Sequence, residues 1–118
     1  MKDFKNLKVW KKAHQLTLKI YQITNIFPSD ERFGLTFQLR KAAAAIPTKI
    51  AEGCGRDSDQ ELVRFMNIAA GAASEVEYQL LLVRDLNYIQ VEEHRELTQQ
   101  INEIKRLLNS SSHPPKKS

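Results

Sequence analysis

The sequence predicts an all-α protein, an up-down four-helix bundle whose second helix is kinked at a proline. Three observations carry that reading. Apolar residues recur at spacings of three and four in four separate segments, and no segment alternates as a strand does. Turn and cap residues divide the segments: Pro28 with Ser29-Asp-Glu, Gly53-Cys-Gly55 with Ser58, and Asn87-Tyr-Ile-Gln. Finally, from Arg40 to Arg56 an alanine run, a proline and a two-glycine exit follow one another while the apolar phase continues. A chain of 118 residues suits one domain, placed at residues 1–109, with a disordered basic tail at 110–118.

The first helix is expected over residues 7–27, with Asn6 as its N-cap and Pro28 as its stop. Val9, Ala13, Leu16, Ile20, Ile23 and Phe27 make one stripe. Leu7, Trp10, Leu18 and Tyr21 make a second, roughly 140° away at 100° per residue. A helix with two apolar stripes has more to bury than one core takes, so a homo-oligomer is expected, with those four residues at its interface.

Ser29-Asp-Glu is read as the capped start of the second helix. Its core series is Leu35, Leu39, Ala42, Ala43, Ile46, Ile50 and Gly53, with Phe33, Phe37, Ala44 and Ala51 as a weaker stripe. Ala42 to Ala45 have high helix propensity and little bulk, inviting close approach by a neighbour. Pro47 removes a backbone hydrogen bond inside this pattern and is expected to kink the helix. The glycines that follow are expected to close it with a left-handed cap.

Ser58-Asp-Gln-Glu61 is a capping box opening a third helix that reaches to about Leu86. Its stripe is Leu62, Phe65, Met66, Ala69, Ala73, Val76, Leu80 and Val83, with further apolar residues on both flanks. The fourth helix, residues 91–109, is one-sided through Leu97, Ile101, Ile104 and Leu108.

Composition excludes more than it assigns. One cysteine makes no internal disulfide and by itself no zinc site. No apolar run suits a membrane span, and the polar start does not resemble a signal peptide, so a cytoplasmic protein is expected. Glu-x-x-His pairs of the di-iron bundles are missing, since Val91 precedes His94 and Lys11 precedes His14 at that spacing. Arg106 and His113 have the spacing of some helical nucleases, but His113 sits beside Pro114-Pro115 without a scaffold. Gly53-Cys-Gly-Arg56 lacks the lysine and glycine pattern of a phosphate loop and reads as a turn. No catalytic residue, metal site or cofactor is expected.

Charge is the positive signal. Ten Lys/Arg face three Asp/Glu in residues 1–50, against eight and eleven in the remainder, for a net +4. Lys8, Lys12 and Lys19 share a helical face, with Lys11 and Gln15 beside them, and Lys41, Lys49 and Arg56 are further candidates. Such a face suits the RNA or DNA backbone without base specificity, because no aromatic row accompanies the lysines. A protein-interaction scaffold with solubilising lysines is the rival reading.

Several of these residues also carry a family likeness. Leu7-Lys-Val-Trp10 with Ala13, Phe27-Pro28, Gly34-Leu35, and Gln38-Leu39-Arg40 with Ala42-Ala43 belong to it. So do Ile46-Pro47, Ile50-Ala-Glu-Gly53, Gly55-Arg56, Phe65, Ile68-Ala69, Gly71, Glu75 and Glu77. From Phe4 to about Leu108 the chain resembles the bacterial four helix bundle proteins of 23S rRNA intervening sequences, also called S23 ribosomal proteins. It departs at Lys41, where arginine is common, at Thr48-Lys49, and in its Pro-Pro-Lys-Lys tail. The resemblance implies a homopentamer around a central channel. It also implies a link to nucleic acid, through a related branch, the accessory variability determinant of diversity-generating retroelements, which works with a reverse transcriptase. It supplies no catalytic residue.

Overall fold

A computed structural model describes residues 2–112. Four helices make the bundle: α1 (Lys8–Thr24), α2 (Leu35–Cys54), α3 (Asp59–Asp85) and α4 (Val91–Ser112). No strand occurs among the described residues. The expected core stripes of the four helices supply the core: every one of their residues is buried except Leu35 and Leu62, which are partly covered. No residue of the second stripes of α1 and α2 is fully buried. The helix α4 continues to Ser112, three residues past its expected end, and residues 113–118 of the expected tail lie outside the described residues.

The ends differ from expectation in instructive ways. Asn6 does not cap α1; it lies in a short 3-10 turn (Phe4–Asn6) whose own cap is Asp3, accepting from the Lys5 N–H at 3.0 Å. Nor does Ser29 start α2. Ser29–Glu31 form a separate 3-10 turn, and α2 begins at Leu35, whose N–H donates to the Glu31 carboxylate at 3.2 Å. An acceptor four residues upstream thus does what an N-cap side chain usually does. Ser58 caps α3 as expected, accepting from the Glu61 N–H at 3.1 Å, but Glu61 turns to Arg64 instead of completing the box.

The left-handed cap is not at the glycines. Gly55 has φ −86°, and α2 ends with the Gly55 N–H shared between the Ala51 carbonyl, at 3.2 Å, and the nearer-in-sequence Glu52 carbonyl, at 3.1 Å. Gly53 serves packing: a Cβ there would lie 2.8 Å from the Phe65 Cβ and 3.2 Å from Leu62 Cδ1, so its absence lets α2 and α3 close together. The left-handed residue is Asn87, φ 64°, after α3. Its N–H donates to Arg84 and that of Tyr88 to Val83, both at 2.9 Å, which is a Schellman closure.

Helix α2 runs unbroken through Pro47. Proline has no N–H, so the Ala43 carbonyl one turn earlier loses its helical donor. The neighbouring helix replaces it: the buried Thr17 hydroxyl of α1 lies 3.1 Å from the Ala43 carbonyl and 2.8 Å from that of Ala13. A second stitch lies one end away. Arg40 donates through Nε to Thr24 Oγ1 at 2.7 Å and through Nη2 to the Tyr21 carbonyl at 3.2 Å and Asn25 Oδ1 at 3.0 Å. A guanidinium therefore sits at the negative end of α1.

Candidate nucleic-acid interface

Sequence periodicity puts Lys8 and Lys12 one turn apart on α1, and the fold turns that face toward α4. There they meet Glu103. Its carboxylate is held by Arg106, with Nη2 at 2.9 Å and Nε at 3.1 Å, while Lys8 Nζ stands 4.0 Å away. The Arg106 hydrogen bonds hold the Glu103 carboxyl below its usual pKa, with Lys8 and Lys12 adding to the effect. One carboxylate is thereby shared by Arg106 and Lys8, with Lys12 lining the same α1–α4 groove as Glu103.

Between α1 and α4 runs a groove of about 350 Å³. Its α1 wall is Lys12, Gln15, Leu18, Lys19 and Gln22, and its α4 wall is Gln100, Glu103 and Ile104. No ion pair within 4 Å involves Lys11, Lys12 or Lys19 among the described residues. Three glutamines and two lysines stand in that lining beside Leu18 and Ile104, so the groove offers donors, acceptors and apolar surface together.

The other predicted cations lie elsewhere. Lys41 stands on α2, its ammonium 5.9 Å from the centre of the Phe37 ring. Lys49 pairs with Glu52 at 3.0 Å, and Lys49, Arg56 and Arg64 all approach the Phe65 ring. Glu52, Asp57, Asp59 and Glu61 lie in that same stretch, so Lys49 and Arg56 do not extend a basic face. The seven candidates are thus in three places.

The expected interface stripe is divided as well. Trp10 stacks on His14 at 5.0 Å with the rings 8° apart, and Phe4 meets its edge at 4.9 Å. Leu7 and Trp10 are partly buried against their own core, whereas Leu18 and Tyr21 remain 53% and 44% exposed. Glu103, Arg106 and Gln100 were not legible as part of the site, because the pairing of α4 with the lysine face of α1 is a tertiary fact.

The Cys54 thiol is buried, and burial pushes its pKa up despite Lys2 nearby, which keeps it protonated. Arg106, the described half of the nuclease-like pair, is engaged by Glu103, and His113 lies outside the described residues. No helix among the described residues is long and apolar enough to cross a membrane.

With the bundle and groove in view, comparison with known proteins is direct. Residues 5–110 match the family described as 23S rRNA-intervening sequence protein. The chain belongs to that family. A solved structure of a protein of unknown function from the S23 ribosomal protein family of Bacteroides thetaiotaomicron superposes with a TM-score of 0.83. It is 24% identical and covers 89% of this chain and 98% of its own, a likeness of fold. Among curated proteins none matches the chain.

Proposed function

We propose that this 23S rRNA-intervening sequence family member is a non-enzymatic, self-associating bundle that holds a nucleic-acid backbone on its α1–α4 groove. The observation that supports it is the single Glu103 carboxylate, held by Arg106 and 4.0 Å from Lys8, with Lys12 and Lys19 along the same groove in no ion pair within 4 Å among the described residues. Recognition of this kind is directed at phosphates and weakly dependent on sequence. The family's name makes RNA the first ligand to test, with DNA beside it.

Self-association, as a homopentamer, would repeat the lysine face and raise the local density of phosphate contacts. The exposed part of the outer α1 stripe is its proposed surface, and because Leu18 also lines the α1–α4 groove, that surface borders the nucleic-acid face. Sedimentation across a concentration series is expected to give five times the 13.6 kDa chain mass, and a single-chain mass throughout refutes it.

Binding is tested by anisotropy with labelled RNA and DNA at rising salt. Affinity should fall linearly on logarithmic axes, by about 0.7–0.9 in slope for each phosphate contact. Changing Lys8, Lys12 and Lys19 together to glutamate should abolish binding while circular dichroism stays helical. Unshifted RNA and DNA at micromolar wild-type protein in low salt would leave the scaffold reading in its place.

A further inference from the structure

We propose that the groove between α1 and α2 is a stacking platform for the unpaired bases of single-stranded nucleic acid. The proposal rests on the nucleic-acid reading above and adds to it a second face and a preference for single strands.

The sequence shows no aromatic row beside the α1 lysines, but on the other flank of α1 the fold sets Tyr21 and Phe37 in one groove, with Phe33 exposed four residues before Phe37. Phe33 is 85% exposed, Phe37 55% and Tyr21 44%. Each ring has its own cation: Arg32 lies 5.2 Å from the centre of Phe33, Arg40 4.7 Å from Tyr21, and Lys41 5.9 Å from Phe37. Tyr21, Phe37 and all three cations line a groove of about 260 Å³.

These cations are not spent on carboxylates. None of the three is in an ion pair within 4 Å among the described residues. Arg40 donates only to neutral oxygens, on Thr24, Tyr21 and Asn25. The neighbouring Glu31 carboxylate is occupied by the Leu35 N–H and, at 2.8 Å, by the Tyr88 hydroxyl.

Large exposed rings beside cations that make no ion pair within 4 Å among the described residues together point to the occupant. An apolar partner surface would cover the rings and strand the charges out of water. A second copy of this chain, itself net positive, brings no general excess of anions. Each unit of a single strand supplies both an aromatic face and a phosphate, whereas a duplex keeps its faces stacked inside. Tyr21 in this use faces the ligand and leaves the self-association surface.

The test is the double variant Phe33→Leu with Phe37→Leu, which keeps exposed apolar bulk and removes the rings. Anisotropy is read with labelled oligo(U), oligo(dT) and a duplex of equal length, alongside sedimentation. The wild-type protein should prefer the single strands. The variant should lose on the order of tenfold or more of single-strand affinity, with duplex affinity and mass unchanged. Unchanged single-strand affinity overturns the platform while the lysine face stands, provided the lysine-to-glutamate variant still abolishes binding. A fall in assembly mass in the leucine variant assigns the face to a second copy and also overturns it. Wild-type protein that binds no nucleic acid removes both readings together.

Discussion

Replacing Thr17 with valine removes one hydroxyl at nearly constant shape, and the consequence depends on a proline on another helix. The Thr17 hydroxyl is buried between the carbonyls of Ala13, at 2.8 Å, and Ala43, at 3.1 Å. Ala13 sits in a regular helix, where the Thr17 N–H serves it. Ala43 lacks its usual helical donor, because residue 47 is proline, and takes the hydroxyl. Valine therefore leaves one buried carbonyl without a donor, which costs about 1–3 kcal/mol. At about 4 °C per kcal/mol, this is a fall of roughly 4–12 °C in melting temperature. Thr17→Ser keeps the hydroxyl and should recover most of the polar part. In a Pro47→Ala background the new N–H can serve Ala43, so Thr17→Val should cost less there, with a coupling of about 1 kcal/mol or more. Urea melts of the four proteins of this cycle measure it. Additivity within about 0.5 kcal/mol would show that the hydroxyl does not stand in for the missing N–H.

Two glycines give opposite outcomes for one substitution. Gly53→Ala puts a Cβ 2.8 Å from that of Phe65, and overpacking of about 1–3 kcal/mol should outweigh the helix gain of about 1 kcal/mol. Gly71→Ala meets nothing within 4 Å and should stabilise by up to about 1 kcal/mol; the same sign at both sites in thermal melts would refute the packing argument. His94 supplies a pH dependence. Burial holds its pKa below 6.5, with Arg84 adding to the effect and Asp85 opposing it. The unfolded chain then binds more protons below that value, so this contribution is full above pH 6.5 and is lost as pH falls toward the folded pKa. His94→Gln should flatten that part of a stability–pH profile, and an unchanged profile would exclude it.

The core was legible because it depends on period alone. Val9 to Phe27, Leu39 to Ile50 and Leu97 to Leu108 each repeat at helical spacing, and the inward face follows from that repeat. The helix ends were less legible, because several side chains can serve one N–H. Glu31, not Ser29, supplies the acceptor for Leu35, and Asn87, not a glycine, takes the left-handed position. Buried polar residues were missed for a similar reason. Thr17 and Thr24 interrupt the apolar pattern of α1, and nothing local says that Ala43 and Arg40 need them. The lysine face was visible, but Glu103 and Arg106, which set its charge, come from a helix about 90 residues further along the chain.

The same polar residues join fold to function. Hydrophobic packing alone tolerates small sliding of one helix against another, since neighbouring turns of leucine and alanine are nearly equivalent. Hydrogen bonds from Thr17 to Ala43 and from Arg40 to Thr24 have no equivalent one turn away. They fix α1 against α2 in both translation and rotation. That fixed rotation presents Lys8 and Lys12 to Glu103 on one flank and Tyr21 to Arg40 on the other. Arg40 serves both fold and function, because its donors close α1 while its guanidinium carbon lies over the Tyr21 ring, 4.7 Å from the centre. Arg40→Lys would keep the charge but lose the planar fork. A binding defect in that variant larger than its loss of stability would tie the register of α1 directly to the ligand face.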